Sequence, residues 1–115
     1  MTRYYLPLTL ASLRGIWEAG RIDAGTLDDA VIAEGDDEES EYAALMSAAD
    51  LSADLRDGAG RRVVVVAEAS GPVDSGLPLR RVVAVHADPV ARATDADPDD
   101  DLAWYATQEV PDLFG

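Results

Sequence analysis

Apolar and polar positions along this chain alternate between a two-residue and a helical rhythm, and the switches predict the order β-α-β-α-β-β-β. Residues 3–7, Arg-Tyr-Tyr-Leu-Pro, form a first strand that Pro7 ends or confines to an edge. Thr9 is suited to cap the helix that follows. Leu10, Leu13 and Trp17 share one face of that helix, and Gly20 is a natural stop. Residues 21–29 read as loop, and residues 30–34, Ala-Val-Ile-Ala-Glu, as a short strand. The longest helix opens at Gly35-Asp36-Asp37-Glu38-Glu39, where Asp36 and Glu39 have capping-box spacing and the acids suit the helix dipole. Its apolar stripe is Tyr42, Leu45, Met46 and Ala49, continued less regularly by Leu55, and Gly58 and Gly60 end it.

Two β-branched runs follow. Residues 62–67, Arg-Val-Val-Val-Val-Ala, have no alternation, which predicts a central strand covered on both faces. Residues 81–87, Arg-Val-Val-Ala-Val-His-Ala, form the next strand. The Gly/Pro/Ser segment between them is too short for a helix, so the two should pair as an antiparallel hairpin. Asp95 to Asp101 reads as a mobile charged loop, residues 102–106 as a last strand, and residues 108–114 as a short turn capped by Thr107 and disturbed by Pro111. The expectation is a single α+β domain over residues 1–115. In it a mixed, largely antiparallel sheet of four or five strands packs with two main helices.

Charge narrows the chemistry. The chain has 23 acidic residues against nine arginines and one histidine, a formal net charge of −14, and it has no lysine, cysteine or asparagine. A lysine Schiff base, a P-loop lysine, a thiol nucleophile, a disulfide and a zinc–thiolate site are all excluded. The negative balance opposes docking on nucleic acid or anionic lipid, which both need cations. No apolar run approaches the ~20 residues of a membrane span, and residues 1–5 lead straight into a strand without a signal-peptide core. These features read as a cytoplasmic protein. The lack of Lys and Asn, with abundant Ala, Asp, Gly, Arg and Val, suggests a GC-rich genome, while salt adaptation is the other source of such acidity.

Candidate chemistry gathers at one place. If the hairpin forms, Arg61 and Arg62 at the start of one strand lie opposite the end of the other, near His86 and Asp88. Pro89 favours extended geometry at Asp88, which would put His86 and Asp88 on one face. Arg62, His86 and Asp88 would share one neighbourhood that could serve acid–base work or bind an anion, and a catalytic centre there would use His86 with Asp88, Glu109 and an arginine from Arg61 or Arg62. The plainer reading is a cross-strand ion pair beside a half-exposed histidine. Arg80 and Arg81 could similarly reach Glu68. Asp95, Asp97 and Asp99 match the first three ligand positions of an EF-hand, but Asp100 stands where that loop needs Gly and Ala106 where it needs Glu. A solvated acidic loop therefore competes with a low-affinity cation site. Gly58-x-Gly60 precedes a strand and lacks a third glycine, so it is no dinucleotide fingerprint, and Ser75 lacks the Gly-x-Ser-x-Gly setting. No cofactor is implied.

Aromatic residues are few and concentrate near the end. Trp104 and Tyr105 are neighbours, so a strand there turns them to opposite faces, and an exposed one would suit an interface.

Five segments together carry a likeness. They are Tyr5-Leu6-Pro7-x-Thr9-Leu10, Asp37-Glu38-Glu39-x-Glu41-Tyr42-x-Ala44-Leu45, Arg61-Arg62-Val63-Val64-Val65, Val83-Ala84-Val85-His86-x-Asp88, and Trp104-Tyr105-x-x-Gln108-Glu109-x-Pro111-Asp112-Leu113. In these the chain resembles a family of small uncharacterised actinobacterial proteins, classed as a domain of unknown function. The likeness implies a cytoplasmic actinobacterial origin and favours genomic bias over salt adaptation. It transfers no catalytic residue.

Three functions remain open. One is a non-enzymatic protein-binding or regulatory module with Trp104 and Tyr105 at its interface and a protein partner. The second is a small hydrolase or transferase using His86, Asp88, Glu109 and an arginine. The third is an acidic mimic of nucleic acid that titrates a basic partner. Self-association stays open in all three.

Overall fold

The computed structural model describes residues 1–56, 60–93 and 95–114. Among these the strands are β1 (Thr2–Leu8), β2 (Arg21–Ile22), β3 (Val31–Ile32), β4 (Val63–Ala69), β5 (Leu77–Pro78), β6 (Val82–Ala87) and β7 (Ala103–Tyr105). The α-helices are α1 (Leu10–Ala19), α2 (Ala24–Asp28) and α3 (Glu38–Leu55). Short 3-10 helices span Leu79–Arg81 and Thr107–Phe114. The main sheet has five strands in the order β3-β1-β4-β6-β7, and β2 and β5 form a small second sheet. Every one of these pairings is antiparallel, so the α+β class holds while the expected parallel component is absent from the described strands.

The valine run behaves as its lack of alternation predicts. Val63, Val64, Val65 and Val66 of β4 are all buried, because β4 is the middle strand and both its faces are covered. On one face Leu6, Leu8, Val63, Val65, Val85 and Ala87 pack against Leu13 and Ile16 of α1, Leu27 of α2, and Val110 and Leu113 of the last 3-10 helix. On the other, Tyr5, Val64 and Val66 meet Ala44, Ala48 and Ala49 of α3. The sheet is thus the middle of three layers. The hairpin is antiparallel as expected, with Val64 opposite His86 and Val65 opposite Val85. A bulge between Val66 and Ala67 shifts the register and leaves Val83 exposed.

Local chemistry explains α1. Thr9 accepts the Ser12 backbone N–H at 3.1 Å, Ser12 Oγ accepts the Thr9 N–H at 2.9 Å, and Gly20 closes the helix in the left-handed region at φ 76°. Leu13 and Ile16 are its buried residues, with Leu10 and Trp17 packed beside them.

Helix α3 departs from the reading of its sequence in two ways. Its cap is Asp37 rather than Asp36, and the carboxylate accepts the Ser40 N–H at 3.2 Å and the Ser40 hydroxyl at 2.7 Å. Its buried stripe is Ala44, Ala48, Ala49 and Ser52, whereas Tyr42 and Leu55 are exposed and Leu45 and Met46 only partly covered. The valine-rich sheet already supplies the bulk on this side. Small residues let the helix lie close, so the larger side chains fall to its flanks. The helix ends at Leu55, ahead of the glycines. Gly58, expected to help end it, lies outside the described residues.

Residues 21–29, read as loop, contain β2 and α2. Asp23 caps α2 by accepting the Thr26 N–H at 2.7 Å and the Thr26 hydroxyl at 2.8 Å. The strand expected over residues 30–34 shrinks to Val31–Ile32, and that expected over 102–106 to Ala103–Tyr105. Beside β5, Gly76 has φ 85°, and a Cβ there would collide with the Ile22 carbonyl, so the turn into the small sheet needs glycine.

Candidate functional site

Where β4 begins and β6 ends, Arg62 and Asp88 form the buried ion pair that the hairpin register anticipates. Arg62 is 2% exposed and Asp88 1%. Arg62 Nη2 donates to Asp88 Oδ1 at 2.8 Å and Nε to Oδ2 at 3.0 Å, and the Arg62 backbone N–H adds a third bond to Oδ2 at 2.8 Å. The rest of the guanidinium donates to the carbonyls of Pro98 at 3.1 Å and Asp100 at 2.8 Å. Arg92 stands 3.5 Å from Asp88 and donates to the Asp100 carboxylate at 2.7 Å and the Asp97 carbonyl at 2.9 Å. The acidic segment 95–101, expected to be mobile, is therefore pinned by two arginines, and Tyr42 of α3 donates to Asp101 at 2.7 Å.

Electrostatics follow from this saturation. Burial alone would push the Asp88 carboxyl up, but the hydrogen bonds and charge of Arg62, with Arg92, outweigh it and hold the group below the usual carboxylate range. The bond to Asp88 raises Arg62 against the opposing effect of burial. Among the described residues no buried side-chain nitrogen or oxygen lacks a partner. Both charges are spent on each other and on the loop, which leaves neither free to hold an anion or move a proton.

His86 lies on the same sheet face, between Val64 on β4 and Trp104 on β7. It is half-buried, and none of the hydrogen bonds among described residues engages its ring. Asp88, two positions on, turns its carboxylate to Arg62 instead. Burial lowers the His86 pKa below its ordinary value, which favours the neutral ring. A depressed base favours folding above pH ~6.5, its unfolded value, and that contribution fades as pH falls through the folded value. Because His86 is the chain's one histidine, its ring proton resonances give an unambiguous titration. The midpoint is expected below ~6.5, and a midpoint above that value would show a carboxylate partner.

The remaining candidates separate. The Glu109 carboxylate accepts the Ala106 N–H at 2.9 Å at the head of the last 3-10 helix. That helix packs through Val110 and Leu113 on the sheet face opposite His86. Arg61 lines a groove with Leu10, Leu113 and Phe114, away from Arg62. Glu68 is taken by Arg3, directly opposite on β1, whose Nε donates to it at 3.0 Å and whose Nη1 reaches Glu41 at 2.7 Å; Arg80 and Arg81 sit in a 3-10 turn instead. Asp95, Asp97 and Asp99 are exposed, and Asp97 Oδ1 accepts the Asp99 N–H at 2.9 Å. Among the described residues no three acidic or histidine side chains gather as a metal site. The five residues proposed for catalysis thus resolve into a structural ion pair, a histidine without a side-chain hydrogen bond among the described residues, a helix-head cap and an arginine that lines a separate groove.

Trp104 and Tyr105 divide as strand geometry predicts. Tyr105 packs on the larger core cluster, while Trp104 is 60% exposed on the α3 side. Helix α3 lies over β3, β1 and β4, so this outer part of its face is left open. One functional group escaped sequence reasoning. Ser52 is fully buried, donates to the Leu8 carbonyl at 2.6 Å and accepts the Val63 N–H at 2.8 Å. Its only sequence signal was a serine in register with Ala44 and Ala48 at four-residue spacing.

No helix among the described residues is long and apolar enough to cross a membrane. A family model described as a family of unknown function (DUF6912) matches residues 2–114. No curated protein and no solved structure matches the chain.

Proposed function

The chain belongs to this family of unknown function, and from that premise we propose that it is a non-enzymatic protein-binding or regulatory module whose contact surface is centred on Trp104. The single observation that carries the reading is a tryptophan 60% exposed on an edge strand of an aromatic-poor protein. Tryptophan is costly to leave in water, and it is enriched among the residues that dominate binding energy. The saturated Arg62–Asp88 pair supports the same reading, because it removes the charged groups an active centre would have used. The composition and the likeness of the five segments support an actinobacterial, cytoplasmic source and a single domain over residues 1–115.

The test is capture of partners from the native host with wild-type protein and with Trp104→Ala as bait. Because the residue is exposed, the substitution should change stability by less than about 0.5 kcal/mol. A partner held by the wild type and lost with the variant is expected. Identical capture by both, or no reproducible partner, would reject the surface.

A further inference from the structure

We propose that the free edge of β7 receives an extended cationic polypeptide segment as an added strand of the main sheet, with an arginine or lysine of that segment laid over Trp104. The proposal rests on the binding reading above and names the chemistry of its partner. β7 is the last strand in the order, paired through Val85–Tyr105, His86–Trp104 and Ala87–Ala103 to β6 alone. Among the described residues no loop forms a backbone hydrogen bond with Ala103, Trp104 or Tyr105. An unpaired edge of this kind is a ready template for a further strand, with main-chain bonds supplying affinity.

Charge decides what that strand is. From Ala93 to the end the sequence holds seven carboxylates and no basic side chain. Arg92 neutralises part of this locally, through the Asp100 carboxylate, but Asp95, Asp97, Asp99 and Asp101 have no salt-bridge partner among the described residues. Asp99 to Asp101 lie just before β7 and Glu109 just after it. A second copy of this chain would bring the same acids across the seam, and like charges opposed across strands repel. A basic segment meets complementary charge at both ends of β7. Its alternate side chains fall opposite Trp104 on the α3 side, where a guanidinium or ammonium can stack on the indole face. The other edge, β3, is two residues long and lies under α3, so it offers a shorter and more obstructed template.

The test uses the whole protein, isotopically labelled, and a short peptide of alternating arginine and valine. Expected are shifts of the Trp104 indole and of the backbone amides of residues 103–105, with slowed solvent exchange at those β7 amides that point away from β6. A peptide of the same sequence with every backbone nitrogen methylated can donate no ladder bond from either edge, and should bind about tenfold or more weakly. Trp104→Ala should weaken binding about tenfold, the equivalent of ~1.4 kcal/mol. Affinity should fall as ionic strength rises from about 0.01 M to about 0.15 M, which shortens screening from about 30 Å to about 8 Å. If the indole shifts but the β7 amides gain no protection and the methylated peptide binds equally well, the added strand is overturned while the Trp104 surface stands. If shifts appear only at β3, or nowhere, the proposal is overturned outright, and the capture experiment above then decides the wider reading independently.

Discussion

Asp88→Ala is expected to cost about 3–5 kcal/mol of folding stability, measured by urea unfolding. The substitution strips three hydrogen bonds from Arg62 and leaves its guanidinium in a site 2% exposed, bonded to two carbonyls alone and with no carboxylate in contact, only the more distant charges of Asp100 and Asp50. Arg62→Met should cost a comparable amount for the mirror reason, since the Asp88 carboxylate keeps only the backbone N–H and the more distant Arg92. The double replacement Arg62→Met with Asp88→Leu should recover most of either loss. Removing both charges also removes the cost of burying them, and the recovery separates the worth of the pair from the penalty of an orphan. A domain of this size has about 5–15 kcal/mol in all, so each single variant would sit near the threshold of folding. Losses below about 1 kcal/mol in both single variants would show that the pair is not the buried anchor described here.

The same pair sets a direction for pH. The folded Asp88 carboxyl lies below its unfolded value of about 3.9, so its contribution is complete above that value and is lost as pH falls through the folded one. Acid unfolding of the wild type should therefore be steeper than that of the double variant below pH ~4.

Ser52→Ala is expected to cost about 1–3 kcal/mol although it deletes one oxygen. That hydroxyl bridges the Leu8 carbonyl and the Val63 N–H, the residues paired at the end of the β1–β4 ladder, and ties them to α3. Alanine would leave a backbone donor and a backbone acceptor buried together without partners. Ser47→Ala, at an exposed position of the same helix, should fall within about 0.5 kcal/mol of wild type. Equal effects at the two positions would contradict the bridging role.

Features governed by neighbouring residues were legible in the sequence. Thr9 and Gly20 bracket α1 through bonds within a single turn, and the unbroken run from Val63 to Val66 states that both faces of β4 are covered. The antiparallel hairpin followed from the short connection, and with it the meeting of Arg62 and Asp88. The buried stripe of α3 was misread because large apolar residues weigh most in a periodicity argument, whereas an already bulky sheet selects Ala44, Ala48 and Ser52. Strands β2 and β5 are two residues each and exist through their pairing with one another, a relation between positions some 55 apart that no local pattern carries. The return of segment 95–101 over Arg62 is likewise long-range. It explains why the expected cluster of arginine, histidine and acid became an ion pair with His86 left aside.

The account places partner contact at the open end of β7 and not at the histidine beside it. The two are cross-strand neighbours, so substitutions at each, made in the same protein, separate the readings most directly. Capture of the native partner should survive His86→Gln, which keeps a polar ring-sized group but cannot exchange a proton near neutrality, and should be lost with Trp104→Ala. Loss with His86→Gln and retention with Trp104→Ala would contradict it.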